Sequence, residues 1–150
     1  MLAQESYKLK LKKRYNKPNA TNKGIDVKTK VSELTGAALD CAVALAEGAT
    51  NLSDILGTYW FTMNGKDRVL SSGWSASQNF APSTNWSHGG PILEREKITI
   101  SDALAGWSAG YNGTLNLFGP TPLIAAMRCY VGSKLGEEVD VPAALNKKML

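Results

Sequence analysis

The chain has little of what most reaction chemistry needs. In 150 residues there is one histidine, His88, and only two cysteines, Cys41 and Cys129. One His and two dispersed Cys cannot supply a tetrahedral metal set, and no Cys-x-x-Cys pair exists to form a redox motif or a disulfide framework. Both cysteines fall in segments with helical apolar spacing, where a thiol is usually a small, buried, reduced side chain. Long apolar runs are also missing. The longest, Ala37 to Ala46, is interrupted by Asp40 and is about half the ~20 residues that a membrane-crossing helix requires. The start of the chain is basic, but it lacks the apolar core and small-residue cleavage site of a secretory signal. A cytoplasmic protein with no membrane partner is therefore expected. The four Asn-x-Ser/Thr triplets, beginning at Asn19, Asn51, Asn85 and Asn112, are then turn chemistry rather than glycan acceptors.

What is present is a composition of 43% apolar and 20% charged residues, enough for one small domain with a real core. The net charge of +4 is unevenly placed. Residues 1–31 carry nine Lys or Arg against Glu5 and Asp26, so residues 32–150 are net acidic. Residues 1–26 have few aliphatics and end in the turn-rich segment NKPNATNKG, the composition of a flexible basic arm. The expected division is this arm followed by a single domain over residues 27–150.

Within that domain, Leu34, Leu39, Ala42, Val43 and Ala46 recur at helical spacing, with Ser32 or Thr35 before them as cap and Gly48 as stop. Asp40 and Glu47 fall off this stripe and read as solvated charges. Residues 49–56 read as a polar connection. Thr58 to Thr62 then has strand composition, and Asn64-Gly65 is a favoured hairpin turn before a return at Asp67–Leu70. Ser71 to Gly90 shows little periodicity and reads as a long loop anchored by Trp74, Phe80 and Trp86. Gly89-Gly90 would take positive φ, and Pro91 would lead into a strand. Further strands surround a second hairpin signal, Asn112-Gly113. Finally Gly119-Pro-Thr-Pro opens a helix capped by Thr121, with Leu123, Ile124, Met127, Tyr130 and Val131 on its buried stripe and Gly136 as its end. Residues 137–150 form an acidic extended piece and a short Pro-started turn. The fold class this predicts is α+β: a small antiparallel sheet packed against two helices, in the order α-β-β-β-β-α, as a two-layer sandwich.

Three strings, SELTGAALD, FAPSTNWSHGGPILERE and GPTPLIAAMRCYVGSKLGEEVDVP, resemble the NinX-like family of small accessory proteins of tailed phages. The resemblance spans residues 27 to 142. It implies a phage-encoded protein of the bacterial host cytoplasm. That family is of unknown function, so the resemblance transfers no catalytic residues. The basic arm departs from the family pattern, as does His88, where that pattern has Gln.

Binding is better supplied than catalysis. A His88–Cys129 pair lacks a third orienting group, and Glu94 and Glu96 around Arg95 read as a surface pair or as partners of Arg128. No catalytic residues, metal or cofactor are expected. The N-terminus of the second helix offers backbone N–H groups to an anion, helped by Gly119 and Thr121. Around it, Trp86 and Trp60 could stack a flat ring. Ser83, Thr84, Asn85, His88, Gly89, Gly90 and Glu94 would line the pocket, and Arg128 would add a cationic contact. The reading is a protein that binds a small phosphorylated or nucleotide-like ligand, such as a host defence signal. The alternatives are an adaptor or inhibitor that captures a host protein, and nucleic-acid binding limited to the Lys8–Lys17 arm. The α-β-β-β-α order resembles a double-stranded RNA-binding domain, but Pro122 to Met127 carries no Lys or Arg. Homo-oligomer formation is left open.

Overall fold

The computed structural model describes residues 25–70 and 78–146. The basic arm up to residue 24, and residues 71–77 of the expected loop with Trp74, lie outside these. The class is α+β, as the sequence predicts, but among the described residues it is built from three α-helices and eight strands in three small antiparallel sheets.

β1 (Asp26–Lys30) pairs antiparallel with β8 (Glu138–Pro142), so that Val27 faces Val141 and Thr29 faces Val139. The period of two puts Thr29, Val139 and Val141 inside and leaves Lys28 and Lys30 outward. This two-stranded ribbon joins the two ends of the domain. After a single 3-10 turn at Val31–Glu33, α1 runs over Gly36–Ala46. Thr35 occupies the cap position with extended backbone but without a side-chain cap bond. Gly48, at φ +87, ends the helix as predicted, where a residue with a Cβ would be strained.

The second sheet corrects the sequence reading. The expected polar connection is β2 (Thr50–Ile55), which pairs with β3 (Thr58–Met63), and β3 pairs with β4 (Lys66–Val69). The β2–β3 turn was hidden because it uses Leu56-Gly57, at φ +57 and +80, instead of Asn-Gly. The Asp54 carboxylate holds this turn by accepting the Gly57 N–H at 2.7 Å. Asn64-Gly65 and Asn112-Gly113 take the expected positive φ at both positions.

The larger correction concerns Trp86–Glu96, which is helix α2 and not loop followed by strand. Neither Gly89 nor Gly90 has positive φ, and Pro91 lies inside the helix. The third sheet is a meander of β5 (Thr99–Ala103), β6 (Gly106–Tyr111) and β7 (Leu115–Gly119). Its register aligns Ile100, Ala109 and Leu117 on one face, and α3 (Pro122–Leu135) packs there. Gly132 permits the close approach, since a Cβ there would lie 3.2 Å from Leu117 and 3.3 Å from Leu115.

α1 and α2 pack in turn on α3. That is why α3 is buried nearly all round, at Ala125, Ala126, Met127, Cys129, Tyr130 and Val131, rather than along a single stripe. Cys41 and Cys129 are both buried and free, and burial pushes their thiols up to about 12 and about 11. Neither is a nucleophile at neutral pH.

Candidate functional site

The segment before α2 is fixed by its own polar groups. Asn85 caps the helix, its Oδ1 accepting the Ser87 N–H at 2.9 Å. His88 Nδ1 accepts the Ala81 N–H at 3.0 Å, and the ring stacks on Phe80 at 6.0 Å between centroids. A ring nitrogen that accepts an N–H must be unprotonated, so the imidazole is neutral with its proton on Nε2. Burial, and then the charge of Arg68, lower its pKa. Arg68 itself lies over Phe80 and donates to the carbonyls of Gln78 and Asn79. The sole histidine is therefore a folding device for the 78–90 segment.

Gly89 sits where α2 crosses this segment. A Cβ there would fall 2.3 Å from the Pro82 carbonyl oxygen and 2.8 Å from Leu123 Cδ2. The space between the Gly-Gly-Pro corner and the start of α3 is thus filled by the chain itself. The same holds at Gly119, whose Cβ would lie 2.6 Å from Ala125 N. At the α3 N-terminus Thr121 Oγ1 accepts the Ile124 N–H at 3.1 Å, the Thr121 carbonyl takes the Ala125 N–H, and Pro122 has no N–H to offer.

The other expected site residues are dispersed. Trp60 is 1% exposed in a small cluster with Ile55 and Val69. Ser83 is buried, while Thr84, Trp86 and Glu94 are exposed. Trp86 keeps 54% of its surface at the start of α2. Among the described residues Arg128 pairs with no carboxylate: its Nε and Nη1 donate to the carbonyls of Leu34 and Phe118, both at 2.8 Å. It joins the turn before α1 to the last strand of the meander, and burial lowers its pKa.

The charges around Arg95 also corrected the sequence reading. Glu47 is not merely solvated but accepts from Arg95, which also meets Glu96 and lies over the Tyr130 ring, while Glu96 pairs with Lys134. This network ties α1, α2 and α3 together at a largely exposed edge.

Two of the concave regions among the described residues bear on function. The first lies beside α1 and holds Asp40, which the sequence pattern placed in solvent. Asp40 is 5% exposed, and its Oδ1 accepts the Ser83 N–H at 2.8 Å across 43 residues of chain. Burial raises the carboxyl from 3.8 to about 6, and the hydrogen bonds from Ser83 oppose that rise. It lines a cavity of about 540 Å³ with Tyr59, Asn79 and Thr84. A sequence signal existed: Asp40 breaks the longest apolar run, and a carboxylate there has to be explained.

The second region is the end of the meander. Leu104 at the β5–β6 turn is fully exposed, Phe118 is 58% exposed and Trp107 is 36% exposed. With Pro120 and Arg128 they line a shallow groove of about 630 Å³. Little in the sequence marks it, because Leu104 is a lone leucine in a turn and Phe118 has ordinary strand context.

Among the described residues no cluster of His, Cys, Asp and Glu could hold a metal ion, and no helix is long and apolar enough to cross a membrane. A comparison with curated proteins finds no match. Residues 30–134, from the end of β1 to the last turn of α3, match the family model described as Bacteriophage P22, NinX, and the chain belongs to that phage protein family.

Proposed function

We propose that this phage accessory protein works by capturing a protein of its host, in the host cytoplasm, through the apolar end of the β5–β6–β7 meander. The observation that carries this reading is the convergence of Leu104, Trp107 and Phe118 around one groove, with large apolar side chains turned to solvent. Exposed apolar surface of this kind is costly to maintain and marks recognition sites. Trp and Arg are the residue types that dominate binding energy at interfaces, and Arg128 lies at the groove with its guanidinium fixed by two carbonyls. The complementary partner presents an apolar side chain beside an oxygen acceptor.

The test is quantitative affinity capture from infected host cells with the wild-type chain and a Leu104→Ser/Phe118→Ser variant. Both positions are exposed, so the variant should fold. One host polypeptide retained by the wild type and lost in the variant supports the reading. Equal retention by both sinks it, and so does a change confined to self-association in sedimentation.

A second reading, a small nucleotide-like ligand, is supported by the exposure of Trp86 beside the Asn85-capped start of α2, where a flat ring could stack. Native mass spectrometry of protein from host cells would show a retained small molecule that disappears in Trp86→Ala. A clean apo spectrum counts against it.

A further inference from the structure

We infer that the cavity beside α1 is a binding site for a small nitrogenous cation, an alkylammonium or guanidinium group, held by the Asp40 carboxylate. An ionised carboxylate that is almost wholly removed from water is costly unless it is paired. Asp40 takes its hydrogen bonds from one residue, Ser83, whose N–H donates at 2.8 Å, and has no cationic partner among the described residues. The guanidinium groups of Arg68 and Arg95 are committed elsewhere, Arg68 to the carbonyls of Gln78 and Asn79 and Arg95 to Glu47.

The cavity supplies room and the right polarity. Its walls include Gly36, Ala37, Gly57, Ala81 and Ala144, residues too small to reach across it. At about 540 Å³ it is within the range of small-molecule sites. Its other polar lining, Tyr59, Asn79 and Thr84, is neutral, so among the described residues Asp40 is the single formal charge lining the space. That charge repels phosphate and attracts a cation. The Tyr59 ring, largely buried in the same wall, gives such a cation an aromatic surface. The site is independent of the apolar groove and of host-protein capture.

The experiment titrates the full chain with methylguanidinium and with n-butylammonium, following backbone amide shifts, with n-butanol as the neutral control. Saturable shifts at Ala37, Asp40 and Thr84 are expected for a cation and not for the alcohol. A charge-assisted hydrogen bond is worth roughly tenfold or more in affinity, so Asp40→Asn should weaken binding by at least about that factor. Ala37→Leu, which fills the mouth while leaving Asp40 in place, should abolish the shifts and guards against a folding defect in the first variant. The inference is overturned by the absence of saturable shifts with either cation, by equal response to butanol, or by unchanged affinity in either folded variant.

Discussion

Asp40 makes the stability of this fold depend on pH in the direction opposite to that of an ordinary salt-bridged carboxylate. Its folded-state pKa is raised, from 3.8 to about 6, because burial on α1 removes it from water, with no cationic partner among the described residues. Protonation therefore favours the folded state. The associated stability is fully present below about pH 4 and is lost as pH rises through about 6. The displacement corresponds to about 3 kcal/mol, approached at a slope of at most about 1.4 kcal/mol per pH unit. His88 acts with the other sign in a neighbouring window: its lowered pKa gives stability that is present above the ordinary imidazole value and lost as pH falls. The two effects overlap in the wild type, so the clean quantity is a difference. Asp40→Asn mimics the protonated acid and can still accept the Ser83 N–H. Urea unfolding followed by tryptophan fluorescence, from about pH 4 to about pH 7, should show the Asn variant gaining on the wild type by about 2.5 kcal/mol across that window. A difference that stays flat with pH would refute the placement of a buried, unpaired carboxylate at this position.

Two further perturbations separate close packing from backbone strain. Gly89→Ala should destabilise by about 2–3 kcal/mol in chemical denaturation, because its Cβ meets the Pro82 carbonyl, whereas Gly90→Ala, with nothing nearer than Trp86 at 3.9 Å, should gain up to about 1 kcal/mol from helix propensity. Equal effects at the two glycines would contradict the packing of α2. Leu56→Asn converts a strained Leu-Gly turn, with the leucine at φ +57 and 62% exposed, into the Asn-Gly pair used in two of the other hairpins, and should raise stability by about 1 kcal/mol. A lower unfolding midpoint would show that Leu56 makes a contact that matters.

The parts legible in the sequence were those where local chemistry and tertiary structure agree. Thr121-Pro122 at a helix start, Gly136 at its end, and the two Asn-Gly turns each state a backbone conformation that the residues prefer alone. The hidden parts were set from a distance. β2 lacks strand composition and is held by pairing with β3. Asp40 lies off the apolar stripe of α1, yet it is buried because the 78–90 segment folds over that side of the helix and offers it the Ser83 N–H. The same holds for part of the expected ligand constellation. Residues read as available to a ligand, Thr121, Gly119, Gly89 and His88, are satisfied by neighbouring chain.

α2 shows how far tertiary structure can override local preference. Trp-Ser-His-Gly-Gly-Pro opens with two glycines and a proline inside six residues, which as an isolated peptide would cost several kcal/mol as helix. What offsets this is specific. The Asn85 cap satisfies the first turn, His88 turns back to hold the Ala81 N–H, Ile92 is buried, and Arg95 bridges to Glu47 on α1. Gly89 then serves the contact itself, since only a residue without a Cβ lets the helix sit on the Pro82 carbonyl and Leu123. By crossing there, α2 secures the segment that carries Ser83 to Asp40. The cavity beside α1 therefore depends on a helix that its own sequence argues against, and mutations at Gly89 should disturb cation binding there without touching the cavity wall.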